Sequence, residues 1–218
     1  QKESHFYPDS LIASGVNASM EGKGYPSMQV GEHRFTWAPS EDSLWIYPIK
    51  QSFLLYGKEA QLAGALGMHQ KRVFGKGNLI LQDGVMDSDL FRFDSQSWSA
   101  ADASLKIGKQ MSLFAPAVLM SKVSLEANMV SHRVLIRPAK GELGTQITFP
   151  YISYQSSLSE ATWDLTNQRL LLAGKAGFEL TSLDSSGASS GSMIRASTAN
   201  YDLKAQYLAL SGVKEVEV

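Results

Sequence analysis

The apolar residues of this chain occur in many short runs, and serine and glycine separate those runs along the whole length. The 29 serines and 18 glycines are scattered rather than pooled in one linker. Within the runs, apolar residues recur at every second position, as in Phe91–Phe93, Val130–Ile136 and Ile147–Phe149. A period of two is the pattern of a strand with one buried face, and frequent turn residues favour hairpins. The sequence therefore predicts an all-β fold of short antiparallel strands.

Two segments test this prediction. Lys58–His69 is rich in alanine, leucine and glutamine, but Gly64 and Gly67 interrupt it and its 3.6-residue spacing is poor. We therefore favour a strand over a helix there. Ser182–Ser192 has the serine and glycine content of an exposed loop.

Length, charge and composition exclude several classes of protein. A chain of 218 residues can bury about 70% of its unfolded surface without disulfide bonds or structural metal ions. Its 20 basic and 21 acidic residues create no overall field for nucleic acid, and the absence of cysteine excludes disulfides, thiolate metal sites and cysteine nucleophiles. No apolar run approaches the roughly 20 residues of a membrane-spanning helix. We expect one all-β domain over residues 1–218 that needs no cofactor.

Two stretches of the chain align with each other at a spacing of 38 residues. Ala161–Gly174 and Ala199–Gly212 share seven identities in fourteen positions, and Trp163 aligns with Tyr201. The core pattern, Gln-x-apolar-x-Leu-x-Gly, recurs at Gln51–Gly57. Each copy is typical of a hairpin whose aromatic residue and leucines face one side, and such hairpins are stable only when stacked on a shared interior. The leucines concerned are Leu165, Leu170 and Leu172 in the first copy, and Leu203, Leu208 and Leu210 in the second.

Ala199–Val213 combines a small residue, an aromatic residue, Asp, a short polar turn and then Leu-x-Leu-x-Gly-Val. In this it resembles the repeat of the periplasmic lipopolysaccharide-transport jellyroll (OstA-like) family, and of long repetitive envelope proteins of Gram-negative bacteria. The resemblance covers about a quarter of the chain. It implies a stack of antiparallel strands folded like a taco, an apolar groove for acyl chains, edge-to-edge assembly and no catalysis.

A cluster of aspartates is the main candidate for metal binding or catalysis. Asp83, Asp87 and Asp89 are followed by Asp94, and such carboxylates could hold calcium or act as the paired acids of a polysaccharide-active enzyme. The positions of an EF-hand loop are missing, so a solvated turn is the favoured interpretation. The four isolated histidines lack metal-ligand spacing, and no Gly-x-Ser-x-Gly motif is present.

The segment Ser43–Ile49 is apolar on both faces of the strand it predicts. Leu44 and Ile46 point one way, and Trp45 and Tyr47 point the other. Burial of both faces is the favoured interpretation, while exposure of the aromatic face would favour stacking on sugars or contact with acyl chains.

These observations together predict a jellyroll or taco-like open sandwich, or a β-solenoid, made of repeated antiparallel hairpins. The predicted function is non-enzymatic: a structural or lipid-binding segment of a longer exported protein, in the periplasm or at the surface of a Gram-negative bacterium, with open sheet edges for self-association or an envelope partner. The alternatives are a carbohydrate-binding or adhesin module, which could also use Trp37, and a polysaccharide-active β-solenoid enzyme. The candidate ligand-binding residues are Trp45, Tyr47, Trp163 and Tyr201.

Overall fold

The computed structural model describes residues 4–7, 9–70, 72–108, 116–142 and 145–217. Almost all regular structure in these ranges is β-strand, every strand pairing is antiparallel, and the described helices are only short 3-10 turns. The all-β antiparallel prediction is thus confirmed. The chain divides into two compact units, Gln1–Ala100 and Ala101–Val218. The part of the chain that the structure describes contains no helix with the length and apolar character of a membrane span.

The first unit contains ten complete strands and the start of an eleventh. The segment Lys58–His69, for which we favoured a strand over a helix, lies mainly within a ten-residue strand. The strands are β1 (Ser4–Tyr7), β2 (Ser10–Gly15), β3 (Ala18–Met20), β4 (Met28–Val30), β5 (His33–Ala38), β6 (Ser43–Pro48), β7 (Phe53–Leu55), β8 (Ala60–His69), β9 (Arg72–Leu81), β10 (Gly84–Phe93) and β11 (Ser97–Ile107), and the 3-10 turns are Pro39–Glu41 and Tyr56–Lys58.

The long strands β8, β9 and β10 each belong to two sheets. The end of β8 pairs with β6, which continues through β5 to β2 and β1, whereas the start of β8 pairs with β7, which continues to β4 and β3. We call the first set sheet A and the second set sheet B. Strands β9 and β10 extend both sheets, because β9 pairs with β8 along its whole length and β10 pairs with β9 on both sides of a register shift between Ser88 and Phe91.

Glycines occupy the bend where β8 and β9 pass between the two sheets. Gly64 lies opposite Gly77, and a Cβ atom on Gly64 would lie 1.9 Å from the Lys76 carbonyl oxygen. Gly77 has φ +111°, which L side chains rarely adopt. The bend therefore requires glycine at both positions.

The inner faces of sheets A and B meet in a filled core. A Cβ atom on Gly75 of sheet A would lie 2.9 Å from Leu62 of sheet B, and Leu62, Leu66 and Phe53 are fully buried. Tyr56 closes one side of this core, because its hydroxyl lies 2.7 Å and 3.1 Å from the carbonyl oxygens of Ser97 and Asp94.

The second unit has the same arrangement of long strands shared between two sheets. Sheet C contains, in order, the end of β12, β13, β16, the start of β17, the end of β18 and β19. Sheet D contains, in order, the start of β12, β14, β15, the end of β17, the start of β18 and β20. Besides the end of β11, the strands are β12 (Val118–Asn128), β13 (Arg133–Pro138), β14 (Gln146–Phe149), β15 (Tyr154–Ser157), β16 (Glu160–Asp164), β17 (Arg169–Leu183), β18 (Ser189–Asp202), β19 (Tyr207–Ser211) and β20 (Glu215–Glu217), with a 3-10 turn at Pro150–Ile152.

The two hairpins that the sequence alignment paired close with the same turn. Asp164 and Asp202 each accept backbone hydrogen bonds from the turn that follows, and Gln168 and Gln206 adopt left-handed φ angles of 51° and 57°. Asn128 closes the β12–β13 turn in the same way. The turns are also linked in series, because the amide of Leu203 donates to the Gln168 carbonyl at 3.0 Å. Aspartate and asparagine suit this position because their side chains bond to backbone two or three residues ahead.

The interior of the second unit lies between sheets C and D. Trp163 and Tyr201 of sheet C lie on the same side as Leu170, which pairs with both. The Phe149 ring of sheet D lies 5.2 Å from the Tyr201 ring, measured between centroids. The hairpin leucines thus face a shared core, but Leu203, Leu208 and Leu210 are only partly buried.

Candidate functional site

The inner face of sheet A becomes more exposed towards one rim of the first unit. Ile46 and Leu66 are 7% and 0% exposed, while the next inner positions on the same strands, Leu44 and Met68, are half-buried. Trp37, which pairs with Leu44, is 44% exposed. The sheet interior is therefore accessible at this rim.

A pocket of about 570 Å³ lies at this rim. Its volume falls within the range of small-molecule pockets. Polar residues stand beside the apolar ones, and His69 Nδ1 lies 3.2 Å from the Asp42 carbonyl oxygen. Such a combination suits a molecule with an apolar part and a polar part. We call it the rim pocket; it is lined by Tyr25, Trp37, Leu44 and Met68 and by Asp42, Ser43, His69 and Gln70.

Trp45 and Tyr47 lie on the opposite, outer face of sheet A, and both are half-buried. Trp45 pairs with Gly67, and a Cβ atom on Gly67 would lie 3.0 Å from three carbons of the indole. These equal distances mean that the ring lies face-on against the glycine backbone. The Lys76 ammonium lies 5.3 Å from the Trp45 ring centroid, and the Arg34 guanidinium lies 5.5 Å from that of Tyr47. The strand is thus apolar on both faces, as predicted, and its aromatic face is partly open to solvent.

Trp163 and Tyr201 are packed inside the second unit, at 1% and 0% exposure. The indole Nε1 of Trp163 and the hydroxyl of Tyr201 are buried without a hydrogen-bond partner among the described residues. Burial raises the pKa of Tyr201. We predicted Trp163 and Tyr201 as ligand-binding residues, but the structure buries both side chains in a filled core, where they offer no ready surface to a ligand.

The candidate aspartates are spread along one hairpin. Asp83 lies in the β9–β10 turn, Asp87 is on the exposed side of sheet B, and Asp89 is at the bend of β10. Asp94 follows the far end of that strand. Across the described ranges, no group of three histidine or acidic side chains is arranged to hold a metal ion. Among the described residues, these aspartates thus belong to no three-residue metal cluster.

Comparison with known proteins gives no relative: no family model, no curated protein and no solved structure matches this chain. Function must therefore be argued from the geometry of the chain itself.

Several residues that form these surfaces were not among the residues that we predicted to bind a ligand. Met68 of the rim pocket lies in the segment with ambiguous helix propensity, and nothing local to it indicates a pocket. Lys76 has a clearer signal, because Arg72, Phe74 and Lys76 alternate with Val73 and Gly75 at a period of two. That alternation predicts a charged and aromatic outer face, although it does not predict which rings the cations approach.

Proposed function

We propose that this chain is a non-enzymatic envelope protein that binds the apolar chain of an amphipathic lipid at the rim pocket. The observation that carries the proposal is the partial exposure of Trp37, Leu44 and Met68 at the rim of an otherwise filled core. An acyl chain there would cover apolar surface that the fold leaves accessible, and each buried methylene contributes about 0.8 kcal/mol. The polar members of the rim, such as Asp42 and Gln70, would stay beside the headgroup.

The arrangement of each unit supports the family resemblance. Two sheets share their long strands and fold over one interior, which is the taco-like form that the resemblance implies. The equivalent turns at Asp164 and Asp202 support a repeated hairpin unit. On this basis we extend the proposal to an exported protein of the periplasm or cell surface.

Free sheet edges support the part of the proposal that concerns assembly. Strands β19 and β20 each pair with β18 alone among the described strands. Unpaired edges of this kind can add a strand from a second copy or a neighbouring envelope protein.

The lipid proposal is tested with a phospholipid that carries bromine on its acyl chain. Bromine quenches tryptophan at short range, and Trp37 is the exposed tryptophan among Trp37, Trp45, Trp98 and Trp163. We expect quenching in the unchanged chain and loss of most of it in Trp37→Phe. Native mass spectrometry should detect the same lipid bound to the protein.

A matched pair of variants locates the site. Leu44→Gln places an amide in the rim pocket and should weaken lipid binding about tenfold. The control variant Ile49→Gln changes a similar side chain, which is 57% exposed and lies outside the pocket. This variant should bind lipid as tightly as the unchanged chain does. Equal lipid binding by both variants, or absence of quenching at Trp37, would refute the proposal.

A further inference from the structure

The outer face of sheet A carries basic residues without acidic ones. Its strands contribute Arg34, Arg72, Lys76 and Arg92, all exposed. No aspartate or glutamate occurs in β2, in β5, in β6, or in the parts of β8, β9 and β10 that belong to this sheet. The chain as a whole has a net charge of −1, so this face differs sharply from the average surface.

These four cations form no ion pairs with the carboxylates that the structure describes. Arg34 and Lys76 instead lie over Tyr47 and Trp45. An aromatic ring attracts a cation through its electron-rich face and forms no separate hydrogen bond with each N–H group. Cations in such positions therefore keep most of their hydrogen-bonding capacity for a ligand.

The Trp45 ring, which lies beneath Lys76, lies flat against the sheet backbone. Trp45 lies against Gly67, and Phe74 pairs with Gly67 from the other side on β9. An aromatic side chain that covers a glycine on a neighbouring strand is held in place by the sheet backbone. The Trp45 ring is therefore preorganised, which lowers the entropic cost of binding.

We propose that the outer face of sheet A binds an acidic polysaccharide. The apolar faces of the sugar rings would stack on Trp45 and its neighbours, while their carboxylates would pair with Arg34 and Lys76. This inference concerns a different face from the rim pocket and goes beyond lipid binding.

Two features favour a polysaccharide over an anionic bilayer. Interfacial proteins insert side chains roughly 5 to 10 Å into the boundary between headgroups and acyl chains. Trp45 and Tyr47 are half-buried, and Trp45 lies flat on the sheet, so neither ring projects like an insertion anchor. A flat ring with a cation 5.3 Å from its centroid instead matches the flat apolar face and the charged groups of an acidic sugar.

The test uses oligomers of polygalacturonate, with the fully methyl-esterified oligomers as the uncharged counterpart. We expect the full chain to bind the acidic oligomers, with a change in tryptophan fluorescence, and to bind the esterified ones at least about tenfold more weakly. Raising the salt concentration to about 0.5 M should weaken the acidic complex.

Variants assign the binding to this face. The double variant Arg34→Gln/Lys76→Gln and the single variant Trp45→Ala should each weaken binding about tenfold. Gly67→Ala should also weaken it, because the new methyl group displaces the Trp45 ring. The control double variant Lys140→Gln/Lys214→Gln removes two exposed cations from the second unit and should bind like the unchanged chain. Circular dichroism and thermal melts establish that each variant is folded.

The same titration is run with inorganic polyphosphate and with vesicles of phosphatidylglycerol and phosphatidylcholine. Weak binding of both supports the proposal. The proposal is overturned if polygalacturonate does not bind, if Arg34→Gln/Lys76→Gln binds it normally, or if polyphosphate or the vesicles bind as tightly. In the last case the face recognises charge alone or a bilayer.

Discussion

The strands of the two units place different partners beside several of their cations. In the second unit, Arg137 lies 2.9 Å from Glu160 and 3.9 Å from Glu126, and Arg195 lies 3.2 Å from Glu179. These partners stand on neighbouring strands, so the sheet itself supplies the opposite charge. Arg34 and Lys76 of the first unit lie over aromatic rings instead. Carboxylates thus engage Arg137 and Arg195, whereas Arg34 and Lys76 keep N–H donors that can bind a ligand.

Individual bends and buried tyrosines also differ between the units. Glycines form the bend of β8 and β9 at Gly64 and Gly77, and Gly177 lies at the bend of β17 with φ 83°, whereas β12 bends at the exposed residue Lys122, with φ 56°. The buried hydroxyl of Tyr56 is hydrogen-bonded, whereas that of Tyr201 has no partner in the described part of the chain. Two regions with the same strand plan thus tolerate different substitutions.

The largest effect is expected at the bends. Gly64→Ala should lower the free energy of unfolding by about 3 kcal/mol or more, because the added methyl group would overlap the Lys76 carbonyl. Lys122→Ala changes the side chain of an exposed bend residue and leaves a non-glycine residue at positive φ. It should lower the free energy of unfolding by less than about 1 kcal/mol. Urea denaturation of both variants measures the difference. Similar losses in the two variants would contradict a glycine requirement at the β8 bend.

Substitution of the two buried tyrosines by phenylalanine should give a smaller difference in the free energy of unfolding than the bend variants do. Tyr56→Phe should destabilise the protein by about 1 to 2 kcal/mol, since the Ser97 and Asp94 carbonyls lose their donor. Tyr201→Phe removes a hydroxyl without a partner among the described residues and should be neutral or slightly stabilising. The comparison uses thermal melts of the two variants under one condition. A cost for Tyr201→Phe equal to that for Tyr56→Phe would show that its hydroxyl is satisfied in solution.

The turns of the second unit provide a test by pH. Hydrogen bonds from Asn167 lower the pKa of Asp164, and those from Ala205 and Lys204 lower that of Asp202. A depressed folded-state pKa stabilises the fold above the ordinary carboxyl pKa, and this stability is lost as pH falls through the folded value.

Asp164→Ala should therefore cost about 1 kcal/mol at pH 7, and the cost should shrink as pH falls below about 4. Asn128→Ala is the matched control, because Asn128 closes an equivalent turn without a titratable group. Its cost should not follow the Asp164 titration. Chemical denaturation at pH 7 and at pH 3 gives both values, and parallel behaviour of the two variants would contradict the role of the carboxylate.

The smallest effect is expected from the surface charges. Arg137→Gln should cost about 0.5 kcal/mol at low salt, and less at 1 M NaCl, because exposed ion pairs are weak and screened. Arg34→Gln should change stability by less than about 0.5 kcal/mol and instead affect binding to the acidic oligomers. Melts at two salt concentrations, together with the binding titration, separate the two roles. A stability loss at Arg34 larger than at Arg137 would assign Arg34 a structural role.

Several local features could be predicted from sequence because they depend on neighbours along the chain. The alternation in Ser43–Ile49 was sufficient to place Ile46 inside and Trp45 on the other face. The shared Asp and Gln of the aligned hairpins corresponded to a shared turn. Ser182–Ser192 was less predictable: its serines suggested a loop, but Ser182 and Ser189–Ser192 lie in the long strands β17 and β18. Pairing with a neighbouring strand overrode composition there.

Sequence alone thus determined the β class, the hairpin pattern and the absence of thiol chemistry, since these depend on residue type and on a period of two. Tertiary structure decided which apolar residues are accessible. Trp163 and Trp45 are equivalent as sequence signals, yet one is closed inside a core and the other lies on an open face. The physical reason is that exposure depends on which sheet folds over a given face, and that depends on pairings between strands far apart in the chain.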